Sequence, residues 1–202
     1  MKGLRVACDT RGISQVVKVI KNGGIAVFPT DTVYGVGADP FNKKAVDTIY
    51  KIKKRNRTKP LPILGYSKEE ISKIAGFDSL SDKIADHFWP GSITLILKLK
   101  NQELKKSLGL NHKVAVRVPN NECTLSVLKE CKLIVGTSAN VSGEKALISP
   151  DDHDLNLTGI DIILDGGKIV ESKESTILEV REGRIKILRK GKVSLEEIEK
   201  LL

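Results

Sequence analysis

The stretch "FPTDTVYGVGAD", Phe28–Asp39, decides how the chain is read. It begins at the end of "GIAVF" (Gly24–Phe28), an apolar, β-branched run bounded by Gly23 and Pro29 that reads as a buried strand. The run then turns into Thr30, Asp31, Thr32, Tyr34 and the glycines Gly35 and Gly37, with no histidine, cysteine or P-loop lysine among them. Hydroxyls and glycines directly after a strand suit a ligand-facing loop at a strand end, although each taken singly more often caps or turns a loop. Gly35 and Gly37 are expected to let the backbone turn tightly beside that ligand. Gly35-Val36-Gly37 lacks the third glycine of a dinucleotide fingerprint, and no G-x-x-x-x-G-K-[ST] occurs in the chain.

Outward from this stretch, strands alternate with helices. Val46, Ile49, Tyr50 and Ile52 place a helix over Lys43–Arg55, and "PLPILG" (Pro60–Gly65) reads as a short strand whose prolines favour an edge or a strand start. Helices are predicted over Ser67–Ala75 and Ser79–Trp89, the second stopped by Pro90-Gly91. "SITLILKL" puts Ile93, Leu95, Leu97 and Leu99 on one face, and "KVAVRVP" puts Val114, Val116 and Val118 on one face and Arg117 on the other. A helix near Asn121–Lys132 leads to the strand "LIVGTS". "DIILDGG" follows, then "STILEV" and "RIKILRKG", paired as a hairpin through Glu182-Gly183. A last helix over 194–202 starts with capping-box spacing between Ser194 and Glu197. The pattern predicts an α/β protein: one domain over 1–202, a twisted mixed sheet with flanking helices, and polar strand-end loops meeting in one concave region.

The 202 residues are 40% hydrophobic and 29% charged, as in ordinary globular proteins, and no apolar run approaches the roughly 20 residues of a membrane helix. The N-terminal "MKGLRVACDTRG" has no apolar segment of the secretory kind. Cys8, Cys123 and Cys131 form no C-x-x-C pair, so reduced thiols and a cytoplasmic location are expected. His87, His112 and His153 are scattered without zinc spacing, and no metal site is predicted. The net charge of +9 is local, because "KIKKRNRTK" (Lys51–Lys59) holds six cations and no acid. Helix-end cations complement the macrodipole, but six exceed that need and point to phosphates or a polyanion. Without a covalent or metal-ligand motif, the remaining chemistry belongs to hydroxyls, amides and cations at strand ends. Arg117, a lone cation on an interior strand, calls for an anion.

In order and spacing, "FPTDTVYGVGAD", "KIKKR…KPLPIL", "WPGSITLIL", "VAVRVP", "GTSANVSG", "STILEV" and "ILRKG" resemble the YrdC-like threonylcarbamoyl-AMP synthases, over about Ile25–Gly191. The resemblance implies the YrdC-like fold with a concave, positively charged cavity. It also implies a nucleotidyltransferase that converts L-threonine, bicarbonate and ATP into threonylcarbamoyl-AMP and pyrophosphate, the first step of N6-threonylcarbamoyladenosine formation on ANN-decoding tRNAs. It implies Mg²⁺ held mainly by the ATP phosphates, a downstream threonylcarbamoyl transferase complex as partner, and a tRNA contact to be tested.

By position, Lys53, Arg55, Ser138 and Asn140 match the family's catalytic tetrad around ATP, with Lys59 and Arg189 as further nucleotide contacts. Thr32, Tyr34, Arg117 and Ser175 match the threonine side. Asp31 stands where Glu is common and Thr137 where Pro is common; Asn56 and Lys190 replace prolines, which loosens two loops. Leu64 takes the place of a threonine-contacting histidine, and Ala146 that of a serine near ATP. The rivals are a non-catalytic RNA-binding module using the same basic run, against which the aromatic content of 4% argues, and a carbamoyl-adenylate-forming domain of the hydrogenase-maturation type.

Overall fold

Apolar residues at Val16, Val17 and Ile20 lie one helical turn apart and bury one face of α1 (Thr10–Lys21). Asp9 starts that helix by accepting the Gly12 N–H at 2.8 Å. Before it runs β1 (Leu4–Ala7); after it come β2 (Ala26–Phe28) and β3 (Gly35–Ala38). The computed structural model describes residues 3–151, 157–170, 173–181 and 183–201. Next come α2 (Lys43–Ile52), β4 (Ile63–Gly65), α3 (Lys68–Ser72), β5 (Ala75–Gly76), α4 (Ser79–Phe88) and β6 (Ile93–Leu99). The chain continues through α5 (Gln102–Leu108), β7 (Lys113–Arg117), α6 (Glu122–Cys131), β8 (Leu133–Ser138) and β9 (Ile162–Asp165). It closes with β10 (Thr176–Arg181), β11 (Arg184–Arg189) and α7 (Leu195–Glu199).

The strands form one mixed sheet in the order β1-β9-β2-β3-β8-β4-β7-β6-β10-β11, with β5 on β6. The pairs β1–β9, β9–β2, β4–β7 and β6–β10 are parallel and the others antiparallel. Strand alternation divides the core. Ala26, Phe28 and Ile134 face a cluster with Val16, Val17 and Ile20 of α1 and Val127 and Leu128 of α6. Val27 and Val135 join the larger cluster with Val46 and Ile49 of α2 and with Ile93, Leu95 and Val116.

The fold is the mixed α/β sheet with flanking helices that the alternation predicted, with local corrections. Gly35 and Gly37 do not make a turn: they lie inside β3, and neither has a positive φ. Their missing side chains make room. A Cβ on Gly37 would lie 2.2 Å from the Val135 carbonyl oxygen, and one on Gly35 2.8 Å from the Phe28 ring. The helix expected over Ser67–Ala75 ends at Ser72, because Ala75 and Gly76 pair with Leu99 and Lys98 as a short strand. β10 and β11 pair antiparallel up to Arg181 and Arg184. Glu182 of the expected turn lies outside the described residues, as does His153 of the scattered histidines.

The expectation of three reduced thiols is overturned. Cys8, just past β1, and Cys123, in the first turn of α6, are disulfide-bonded with Cα atoms 5.7 Å apart. The fold places β1 beside β9 and packs α1 against α6, which brings two cysteines 115 residues apart into bonding range. The thiol argument for a cytoplasmic location therefore falls. Among the described residues no helix is long and apolar enough to cross a membrane. Cys131 is free and half-buried, and burial pushes its thiol up to about 11.

Candidate active site

A cavity of about 820 Å³ opens over the centre of the sheet. Leu64 of β4, Thr94 and Ile96 of β6, Ala115 and Arg117 of β7 and Ile177 of β10 line it from the strands. These are the positions that point away from the larger core, as Thr94 shows between the fully buried Ile93 and Leu95. Five cationic residues line it (Arg55, Lys59, Lys113, Arg117 and Arg189) against two carboxylates, Glu174 and Glu179.

The loop after β2 is fixed by Thr30. Its Oγ1 donates to the Val33 carbonyl at 2.6 Å and accepts the N–H groups of Thr32 and Val33. With that proton committed, the 2.9 Å contact between the Thr30 and Thr32 hydroxyls has Thr32 as donor. Thr32 then accepts from Arg117 Nη1 at 3.2 Å. Arg117 is 6% exposed, with Nη2 on Asp31 Oδ1 at 2.5 Å and Nε on the Gly91 carbonyl at 2.8 Å. Burial lowers its pKa against the opposing pull of Asp31. The anion that a lone strand arginine calls for is thus supplied by the chain itself.

Beyond Arg117 the Thr94 and Ser175 hydroxyls meet at 2.9 Å. Arg189 donates from Nε and Nη2 to the Ser175 carbonyl and from Nη1 to Glu174 at 2.9 Å. Lys113 and Glu179 form a further ion pair. Arg55 and Lys59 differ from these. Arg55 donates to the carbonyls of Lys59 (2.9 Å) and Pro60 (3.1 Å), and burial lowers its pKa. Among the described residues, neither Arg55 nor Lys59 has a carboxylate partner. The loop carrying them is closed by Asn56, whose Oδ1 accepts the Thr58 N–H and whose carbonyl accepts the Lys59 N–H. An asparagine in place of proline therefore ties this loop rather than loosening it.

Of the residues named from sequence, Thr32, Arg55, Lys59, Arg117, Ser138, Ser175 and Arg189 come together around the cavity. Lys53, Asn140 and Tyr34 are not among its lining residues. Lys53 is 1% exposed and donates to the carbonyls of Ser138 and Asn140 and to Asn140 Oδ1. Burial, aided by the charge of Arg55, pushes its pKa down to about 8. Asn140 Oδ1 also accepts from Ser138 Oγ at 2.6 Å, so Lys53 and Asn140 support Ser138 from behind. Tyr34 lies in the loop just before β3, its side chain buried against the segment after β9. Its hydroxyl donates to the Gly167 carbonyl at 2.6 Å and accepts the Gly166 N–H, and burial pushes its pKa up to about 12.

Sequence reasoning did not single out Thr94, Lys113, Glu174, Glu179 and Leu188 of the lining. The signal for Thr94 was its place on the polar side of the alternating "SITLILKL" run. The others needed the β6–β10 pairing, which joins strands more than 75 residues apart in sequence.

The protein is thus a mixed α/β sheet carrying over its strands a cavity lined by five cationic residues and two carboxylates. The chain belongs to the Sua5/YciO/YrdC family, whose model, described as "Telomere recombination", matches residues 18–191. A Methanocaldococcus jannaschii protein is 35% identical over 184 residues, covering 90% of this chain and 86% of that protein. The "Threonylcarbamoyl-AMP synthase" of Pyrococcus abyssi is 34% identical over 186 residues, covering 91% of this chain and 55% of its own length. The crystal structure of "P. abyssi Sua5 complexed with L-threonine" superposes with a TM-score of 0.91 at 31% identity, covering 100% of this chain and 61% of that one. The chain thus spans little more than half the length of these Pyrococcus relatives.

Proposed function

We propose that this chain is a threonylcarbamoyl-AMP synthase, a nucleotidyltransferase that joins L-threonine, bicarbonate and ATP into threonylcarbamoyl-AMP, pyrophosphate and water. The observation that carries this reading is a cavity with two kinds of cation: Arg55 and Lys59, without a carboxylate ion pair among the described residues, and Arg117 already paired. The unpaired pair suits a triphosphate, with Ser138 and Arg189 beside it. The Arg117, Thr32, Thr94 and Ser175 group suits an amino acid, through guanidinium donors for its carboxylate and hydroxyls for its polar atoms. The name threonylcarbamoyl-AMP synthase borne by the Pyrococcus relative and the L-threonine in the crystal of P. abyssi Sua5 support the choice of substrates.

In this reading the threonine amine adds to the carbon of CO₂, formed from bicarbonate by loss of hydroxide, and gives an N-carboxylate. One of its oxygens attacks the α-phosphorus of ATP, and the bond to the pyrophosphate oxygen breaks. Amine, carboxylate and phosphate carry charges that keep the reactants apart, so placement and charge neutralisation do most of the work. Arg55 and Lys59 hold the phosphates, Ser138 is aimed by Asn140 and Lys53, and Arg117 fixes the amino-acid carboxylate. No acid–base dyad is required of Asp31, whose oxygens are engaged by Arg117, Ser92 and Asn120. Mg²⁺ enters with ATP as part of the substrate. Among the described residues no cluster of three or more His, Cys, Asp or Glu is placed to hold a metal, and both lining carboxylates are ion-paired. The product passes to a threonylcarbamoyl transferase acting on tRNA. Pyrophosphate release that requires threonine and bicarbonate together tests the reading; release indifferent to threonine overturns it.

A further inference from the structure

Asp31 sits between Thr30 and Thr32, which both line the cavity, yet it is not itself part of the lining. Both of its oxygens are used: Oδ1 takes Arg117 Nη2 at 2.5 Å and the Asn120 N–H at 3.0 Å, and Oδ2 takes the Ser92 hydroxyl at 2.7 Å. One carboxylate, its side chain 11% exposed, thus ties three loops, those after β2, after α4 and after β7, around one guanidinium. Of the five N–H donors of Arg117, three are spent on Asp31, Gly91 and Thr32, leaving two for a ligand. The arginine meets the cavity oriented and with its charge matched. Arg55 and Lys59 meet the same cavity without an ion pair to a carboxylate among the described residues.

We propose that Asp31 is a positioning and specificity residue: by pairing with Arg117 it makes that end of the cavity accept a singly charged carboxylate and reject phosphate, which is left to Arg55 and Lys59. The proposal rests on assigning the Arg117 end to the amino acid. A free guanidinium prefers a multiply charged phosphate, which it can grip with two parallel bonds. A guanidinium already neutralised and with two donors left has no such preference. Sorting matters in a cavity where both substrates are anions, because ATP phosphates seated on Arg117 would exclude the amino acid.

The test is inhibition of pyrophosphate release by inorganic phosphate in wild type, Asp31→Asn, Asp31→Glu, Arg117→Ala and the Asp31→Asn/Arg117→Ala double variant. Asp31→Asn keeps the side-chain shape and removes the charge. Phosphate is expected to inhibit it at least tenfold more strongly than wild type, in competition with threonine, with the ATP KM within twofold. Asp31→Glu is expected to restore wild-type insensitivity, and the double variant to lose the new inhibition. Unchanged phosphate inhibition in Asp31→Asn overturns the proposal, as does enhanced inhibition that persists without Arg117. Enhanced, Arg117-dependent inhibition that competes with ATP instead supports the action of Asp31 on Arg117 and contradicts the amino-acid assignment of that end. Should Asp31→Asn fail to fold, wild type decides. Phosphate competing at least tenfold more weakly against threonine than against ATP supports the proposal, and parity overturns it.

Discussion

The Nζ of Lys53 donates to the Asn140 carbonyl at 2.6 Å and to its side-chain Oδ1 at 3.1 Å. A third bond goes to the Ser138 carbonyl, so one buried lysine closes the turn that presents Ser138 to the cavity. This lysine contributes to the site by holding it. Lys53→Met takes the donor from the Asn140 carbonyl, while the Ser138 carbonyl keeps the Asn140 N–H and Asn140 Oδ1 keeps the Ser138 hydroxyl. At roughly 1–3 kcal/mol for an unpaired buried group it is expected to cost about 2 kcal/mol. Urea unfolding of the two proteins at pH 7 checks this.

The same lysine has a pH signature. Burial holds its folded pKa at about 8, below the ordinary 10.5, so between these values the unfolded chain binds more protons than the folded one. Its contribution to stability is therefore lost as pH falls through 8 and fully present above 10.5. The stability difference between wild type and Lys53→Met should move in favour of wild type from pH 8 to 10.5. A flat difference across that window contradicts the assignment.

Gly37 and Gly35 differ in what a side chain would strike. A methyl at Gly37 runs into the Val135 carbonyl oxygen of the paired strand, which can move only with β8. Gly37→Ala is expected to cost about 3 kcal/mol, at the upper end for overpacking. At Gly35 the neighbour is the edge of the Phe28 ring, which can shift, and about 1 kcal/mol is expected. Thermal unfolding midpoints should rank wild type, Gly35→Ala and Gly37→Ala in that order.

The Cys8–Cys123 bond closes a long loop, and the residue after Cys123 donates its Thr124 hydroxyl to the Pro29 carbonyl at the start of the site loop. Cys8→Ser is expected to lower the unfolding free energy by about 3 kcal/mol. Alkylation of the denatured, unreduced protein followed by mass spectrometry should label Cys131 alone. Three labelled cysteines would contradict the bond.

The sheet was legible because alternation such as that of Ile93, Leu95 and Leu97 is imposed directly by strand geometry. So were the residues whose chemistry has few structural uses at their position: Arg117 on an interior strand, and Arg55 and Lys59 in a run without acids. What stayed hidden needs the third dimension. Gly35 and Gly37 look alike whether they serve a turn or a close strand contact, and only the Phe28 ring and the Val135 carbonyl decide it. Lys53 and Tyr34 carry polar atoms into the structure, and the sequence cannot say whether a ligand or the backbone receives them. The Cys8–Cys123 pairing depends on β1 reaching β9, a contact across more than 150 residues. Asp31 looked like a mild exchange of one acid for another until its oxygens were found on Arg117, Ser92 and Asn120.

Arg55 separates catalysis from RNA binding. If its guanidinium holds nucleotide phosphates, Arg55→Ala should reduce turnover by at least a hundredfold while the unfolding midpoint stays within a few degrees. Full turnover with loss of salt-sensitive RNA binding would favour an RNA-binding module instead.

The central claim is most directly tested by mass-spectrometric detection of the product after incubating the purified protein with ATP, Mg²⁺, L-threonine and ¹³C-bicarbonate. The account predicts threonylcarbamoyl-AMP carrying one ¹³C at its carbamoyl carbon, formed only when all three substrates are present. AMP and pyrophosphate without a labelled adduct, or an adduct formed equally well without threonine, would contradict it.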